Sequence, residues 1–339
     1  MLVLCIIASF AGSIDAATRK KPVAKKPVVK KPVSTHHETT GTSQLQGEFG
    51  LIGHTYTLGK VNPWNISLKS AEYTTEILRT RDSAIAPDRN SKLLVLHFVL
   101  HNPQKNMALM RHDTIRFTAV DANDKNWEGG GGLNNETTKE NVNQLFKPAQ
   151  KMEAYTIIVV PAAGEIPKIM LMSGDKKVIR YDVRGKVKPL SGPVADPNDQ
   201  TGATALANVP AKIGDFYPAS MYNLCLEKVG FSDGPIDGKT AKPGERFLVA
   251  NFAVKFLETS GTTLRFDTFA ISGVDADSIP IKGGNNLLAP SSDTVVNMHV
   301  DLGQEMKFRT YLRIPKGVTP KSLIVTGNRN GRSYIYSAE

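Results

Sequence analysis

Two long stretches of this chain align with one another. "KLLVLHFVLHN" from residue 92 lines up with "RFLVANFAVKF" from residue 246, and "RHDTIRFTAVDAND" from 111 lines up with "RFDTFAISGVDADS" from 265. Both pairs share an offset of 154 residues. The register holds through Gly129 and Gly283, Gln150 and Gln304, Met152 and Met306, and Pro161 and Pro315. After a slip of one residue Tyr181 matches Tyr334, and upstream "WNISLKSAEY" at 64 resembles "YNLCLEKVGF" at 222. A repeat of this length is a whole domain, so each copy has to enclose its own core. The expected division is one domain over 54–185, a Pro/Gly-bearing linker over 186–211, and a second domain over 212–339.

Within each copy the apolar runs are short and rich in β-branched and aromatic residues: "LLVLHFVL", "TIRFTAV", "YTIIVV", "FLVANFAV", "SLIVT". Runs of this length and composition, bounded by turn residues, read as strands. No segment carries a helical apolar period of useful length. Several short strands in about 125 residues describe an all-β fold, so the expectation is two tandem β-sandwiches. Neither copy carries a pair of cysteines, since Cys5 and Cys225 are the only two in the chain. Stability therefore has to come from packed cores.

The N-x-L strand, "LVLHFVLHN", the V-D-A-N/D hairpin and the late "PAQKM…VVP" or "GQEM…RIP" pair together resemble a known group. These are the immunoglobulin-like domains of unknown function found in exported bacterial proteins and lipoproteins. The first copy fits better than the second, where "VKFLETS" replaces "LHNPQKN". The resemblance covers about three quarters of the chain, rests on strand and turn signals, and implies an immunoglobulin-like sandwich without established catalytic residues.

The start of the chain is of a different kind. Residues 1–16, "MLVLCIIASFAGSIDA", form an apolar run followed by small residues, which reads as an export signal, although no Lys or Arg precedes the run. Residues 17–53 follow, opening with "KKPVAKKPVVKKPV" at 20–33. Proline every fifth residue keeps such a tract extended, and its composition buries too little to fold. It reads as a disordered tether. The localisation expected is the periplasm, the cell surface or the exterior.

The charge of the chain belongs mostly to that tether. Of 42 Lys and Arg, seven stand at Arg19, Lys20, Lys21, Lys25, Lys26, Lys30 and Lys31, leaving 35 against 32 acidic residues. A nearly balanced body argues against a nucleic-acid-binding face, and no specific nucleic acid is expected as a partner. Lys20, Lys21, Lys25, Lys26, Lys30 and Lys31 are candidates for binding an anionic envelope polymer or lipid surface, each worth about 1 kcal/mol near such a surface. The other reading of the same residues is a solvated spacer.

Candidate chemistry in the body is sparse. Met107, Met110 and His112, with His97 and His101 on the preceding strand, are soft donors of the type Cu(I) prefers. In the second copy Leu264 and Phe266 stand at the places of Met110 and His112, which makes both look like inward-facing strand positions. Asp121, Asn123 and Asp124 in "DANDKNWE" offer oxygens suited to calcium, but the glycine and glutamate of a full calcium loop are missing. Asp and Asn between strands also serve as turn residues. Trp64 and Trp127 match Tyr222 and Ile281, a pattern of core packing rather than of a sugar platform. Cys225 matches Ser67 and has no electropositive sequence neighbour to activate it. "EGGGGLNN" lacks the Lys-Ser/Thr of a phosphate loop.

No cofactor is expected and no enzymatic activity. The sequence points to an exported binding or scaffolding protein that meets a protein or glycan partner through its sandwich loops. A periplasmic metal-handling protein, for copper or calcium, is the alternative.

Overall fold

The computed structural model describes residues 38–39, 47–80, 83–129, 132–174, 177–257, 262–281, 283, 286–327 and 331–337. Residues 1–16, expected as an export signal, and the lysine tract lie outside the described residues. Everything described is strand, turn or loop, apart from one turn of 3-10 helix at Gly192–Val194. The expectation of two β-sandwiches holds.

In the first sandwich the front sheet runs Asn134–Asn135, Lys151–Pro161, Ser91–His101, Trp64–Thr74, Tyr56–Leu58. The back sheet runs Glu38–Thr39, Asn126–Glu128, Ile115–Val120, Lys168–Ser173, Val178–Asp182, Gly47–Gly50. A separate two-stranded flap pairs Ala108–Arg111 with Asn143–Phe146. The second sandwich rebuilds this plan. Its front sheet runs Phe216–Ala219, Tyr222–Ser232, Glu245–Phe256, Glu305–Pro315, and its back sheet Asn208–Ala211, Ser333–Ser337, Pro320–Gly327, Phe269–Asp275, Pro280–Ile281. Its flap pairs Thr262–Arg265 with Asn297–Val300.

Period-two patterning explains both cores. Trp64, Ile66, Leu68, Leu94, Leu96, Phe98 and Leu100 point from the first front sheet onto Phe117, Ala119, Ile169, Leu171, Ile179 and Tyr181 of the back sheet. In the second copy Phe252 stacks on Phe308 at 5.1 Å between ring centroids, and Phe308 on Phe269 at 5.8 Å. Burying each such ring stabilises by about 1.5–3 kcal/mol.

Two domain boundaries move. The tether was expected to run to residue 53, but Gly47–Gly50 adds to the back sheet as a parallel partner of Val178–Asp182. Likewise Asn208–Ala211, expected in the linker, pairs parallel with Ser333–Ser337. The same device then follows in both copies, in the sequence Ile-Gly-x-x-Tyr. Gly53 (φ 86°) and Gly214 (φ 93°) turn the chain through the left-handed region that glycine tolerates. Their amides donate to the carbonyls of Leu68 (2.7 Å) and Leu226 (2.9 Å). The hydroxyls of Tyr56 and Tyr217 accept from the amides of Leu51 (2.8 Å) and Lys212 (2.9 Å), locking the crossing from back sheet to front.

The linker is packed rather than loose. Leu190, Ala203 and Ala205 belong to the first core, while Val194 and Leu206 lie against the second. Asp199 organises the turn: its carboxylate accepts from the amide and hydroxyl of Thr201 and from the amide of Thr204. These bonds hold its carboxyl well below the usual range. Ala205 then donates to the carbonyl of Ala162 at 2.8 Å.

Two buried cations stand at this junction. Lys92 is fully buried, with Nζ donating to the carbonyls of Ala162 (3.2 Å) and Gly164 (2.5 Å) and lying 4.6 Å from the centre of the Tyr73 ring. Burial pushes its ammonium down to about 8. Arg332, from the second sandwich, donates to the carbonyl of Leu206 and to that of Ser91 in the first.

Candidate functional site

The front sheet of the first sandwich has two different halves on its outer face. Toward one end Leu93, Val95, Tyr155 and Ile157 form a small apolar cluster, with Leu78 and Ile85 from the Leu78–Arg79 and Ala84–Ile85 hairpin laid against it. Toward the other end the face is open and polar, and forms a groove of about 540 Å³.

Strand register lays out the groove. One row crosses the sheet as Lys151, His101, Asn65, Thr57, and the next as Glu153, Val99, Ser67. Thr55 closes the second row. The register slips between Leu68 and Ser70, so Lys69 is the extra residue of a β-bulge and stands at the rim. Thr57 Oγ1 donates to Asn65 Oδ1 (2.7 Å), and Asn65 Nδ2 lies 3.1 Å from His101 Nδ1. The Ser67 hydroxyl is buried at the floor without a hydrogen-bond partner. Between the two halves His97 sits between carboxylates, 3.6 Å from Glu72 and 3.2 Å from Glu136.

The second sandwich closes the matching face with its own side chains. Lys255 stands at the place of His101, pairs with Glu305 at 3.3 Å and lies 4.2 Å from the centre of the Phe216 ring, which occupies the place of Thr55. Glu227, the extra residue of the corresponding bulge, pairs with Lys307 at the place of Glu153. Cys225 replaces Ser67. It is buried, and burial pushes its thiol up, away from a reactive thiolate. Beyond it, Asp237 accepts from Lys239 (2.7 Å), Tyr311 (2.8 Å) and Asn286 (2.9 Å), which pins the 233–244 loop over the upper half of the face.

The residues expected for copper are not brought to one point. Met110 is fully buried in the first core, as its alternation implies, and Met107 is 59% exposed. His112 is a different case: it was expected to face inward with Phe266, yet both are exposed. The reason is local. Each flap strand stops at an arginine, and the amides of Arg111 and Arg265 donate to Thr114 Oγ1 and Thr268 Oγ1. These turns carry His112 and Phe266 out at their tips. His97 and His101 point to the outer face, on the opposite side of the front sheet from Met110.

The calcium candidates make a turn. Asp121 accepts through Oδ1 from the amides of Asn123 (2.8 Å) and Lys125 (3.0 Å), and through Oδ2 from Trp127 Nε1 (3.0 Å). Asn123 is exposed, and Asp124, with φ 58°, reaches toward Lys168 at 3.6 Å. In the second copy Asp275 accepts from the Ile279 amide in the same manner. Among the described residues no three His, Cys, Asp or Glu side chains converge. Trp64 and Trp127 are both buried in the first core, so neither indole offers a stacking face. Lys20, Lys21, Lys25, Lys26, Lys30 and Lys31 lie outside the described residues.

No family model and no curated protein matches the chain. Among solved structures it is similar to an uncharacterized β-sandwich protein from Clostridium difficile 630, at 13% identity and a TM-score of 0.31, over 42% of this chain and 99% of that one. It is also similar to MPT63, a secreted protein from Mycobacterium tuberculosis, at 16% identity and a TM-score of 0.29, over 38% of this chain and 97% of that one. A third is the yjhA protein from Bacillus subtilis, at 15% identity and a TM-score of 0.28, over 37% and 97%.

Proposed function

We propose that this chain is an exported, non-catalytic binding protein of the bacterial cell envelope. On this reading residues 1–16 direct export, the tract from Arg19 to Lys31 attaches to an anionic lipid or polymer, and the paired sandwiches present a binding face above that surface. The observation that carries it is the placement of charge: seven cations in thirteen residues, ahead of a body with 35 basic and 32 acidic residues in the rest of the chain. An attractive potential concentrated on one extended segment gives adhesion to an anionic surface without a folded site. A non-catalytic role fits the described side chains, whose one cysteine is buried and whose histidines are held by Asn65 or by carboxylates where they meet the front sheet.

Expression in a bacterium followed by fractionation tests this. The chain should be recovered outside the cytoplasm, on the envelope, and be released by high salt. Recovery in the cytoplasm, or attachment that survives high salt, would refute it.

A further inference from the structure

The two front sheets share a fold and a register, and differ in whether the same polar positions are satisfied. In the second copy each charge is answered within the protein: Lys255 by Glu305, and Glu227 by Lys307, with Phe216 lying over the gap. In the first copy the bulge residue is Lys69 and its opposite number is Glu153, the reverse arrangement, yet neither they nor Lys151 form an ion pair among the described residues. The small Thr55 leaves open what Phe216 covers. Beneath them Ser67 is 95% buried and its hydroxyl is unbonded, an unfavourable state that a ligand oxygen would relieve.

We propose that this groove is a binding site for a small acidic saccharide, a sugar unit or pair carrying a carboxylate. A volume of about 540 Å³ suits a mono- or disaccharide. The lining supplies hydroxyl, amide and imidazole groups from Thr55, Ser67, Asn65 and His101, which match sugar hydroxyls in donors and acceptors. Lys69 and Lys151 supply two ammonium groups against the single carboxylate of Glu153, so the site favours an anion. Val99 forms the apolar patch of the floor against which a sugar ring packs.

Calorimetric titration of the full chain with digalacturonate, at about 150 mM salt to screen the lysine tract, tests the site. The expected result is one saturable site, with the neutral disaccharide cellobiose binding about tenfold more weakly. Lys69→Gln should weaken digalacturonate about tenfold, and Ser67→Val about fivefold. Because Ser67→Val removes an unsatisfied hydroxyl, its thermal stability should equal or exceed the parent, which separates lost binding from lost folding. Lys307→Gln, in the closed second copy, should leave binding unchanged. Absence of saturable binding, equal affinity in the Lys69 and Ser67 variants, or equal affinity for cellobiose would each overturn the proposal. A full-length variant with the tract lysines changed to glutamine separates the site from the tether. Binding kept there supports the groove whether or not the tether attaches to a surface, and binding lost there overturns it.

Discussion

Replacing Lys92 with methionine should remove a pH dependence from the stability of the first sandwich. Lys92 is fully buried, bonded to two carbonyls, and its ammonium is pushed down to about 8 by burial. In the unfolded chain it returns to about 10.5. The interval between those values corresponds to about 3 kcal/mol that the native state gives up at neutral pH to keep the charge inside. The sign follows from proton counts. Between pH 8 and 10.5 the unfolded lysine keeps its proton while the native one has lost it, so stability rises with pH.

From pH 7 to about 9.5 the gain works out at roughly 2 kcal/mol. Methionine is unbranched, one heavy atom shorter than lysine and uncharged, so the Lys92→Met variant should lack that gain. Both tryptophans, Trp64 and Trp127, lie in the first core, so their emission during urea unfolding reports that sandwich alone. Other groups titrate equally in the two proteins and cancel in the difference. A parent-minus-variant difference that stays level from pH 7 to 9.5 would show that Lys92 is not held as described.

Two further outcomes follow from the second sandwich. Burial pushes the Asp237 carboxyl up, but the bonds from Lys239, Tyr311 and Asn286 outweigh it and hold the group below its ordinary range. Asp237→Asn should therefore cost about 1.5–3 kcal/mol at pH 7, and that cost should shrink as the pH falls below the ordinary carboxylate range and acid protonates the native group, in urea unfolding followed by circular dichroism. Gly214→Ala should cost about 1 kcal/mol of thermal stability, because the methyl meets no neighbour and only the left-handed φ of 93° resists it. An unchanged melting temperature would mean that the Ile-Gly-x-x-Tyr crossing relaxes without glycine.

Much of the fold was legible because strand burial has a period of two. Leu94, Leu96, Phe98 and Leu100 alternate with outward neighbours, and Leu248, Ala250, Phe252 and Val254 do so again 154 residues later. The docking of the linker was not legible because the residues that dock it, Ala203 and Ala205, are small and sit among Gly, Thr and Asn, where an apolar pattern does not show. The Ile-Gly-x-x-Tyr crossing was readable at 52–56 and 213–217, but its offset is 161 rather than 154, outside the register that aligned the rest. His112 was placed by extending the alternation one residue past the end of its strand, where the turn reverses it. The groove could not be read from spacing at all. It is made by rows that cross four strands, and its character lies in which partners are missing: Lys69 and Glu153 look as ordinary in the sequence as Glu227 and Lys307.

On the proposed reading, adhesion belongs to the cationic tract and not to the nearly neutral body. Partition onto vesicles rich in anionic lipid, for the full chain and for a chain lacking residues 19–33, measures this directly at about 50 mM and about 500 mM salt. The full chain should bind at the lower salt and come off at the higher, while the shortened chain binds at neither. Equal binding by both chains, with equal loss in salt, would place the attraction in the folded body and rule out the tract as the anchor.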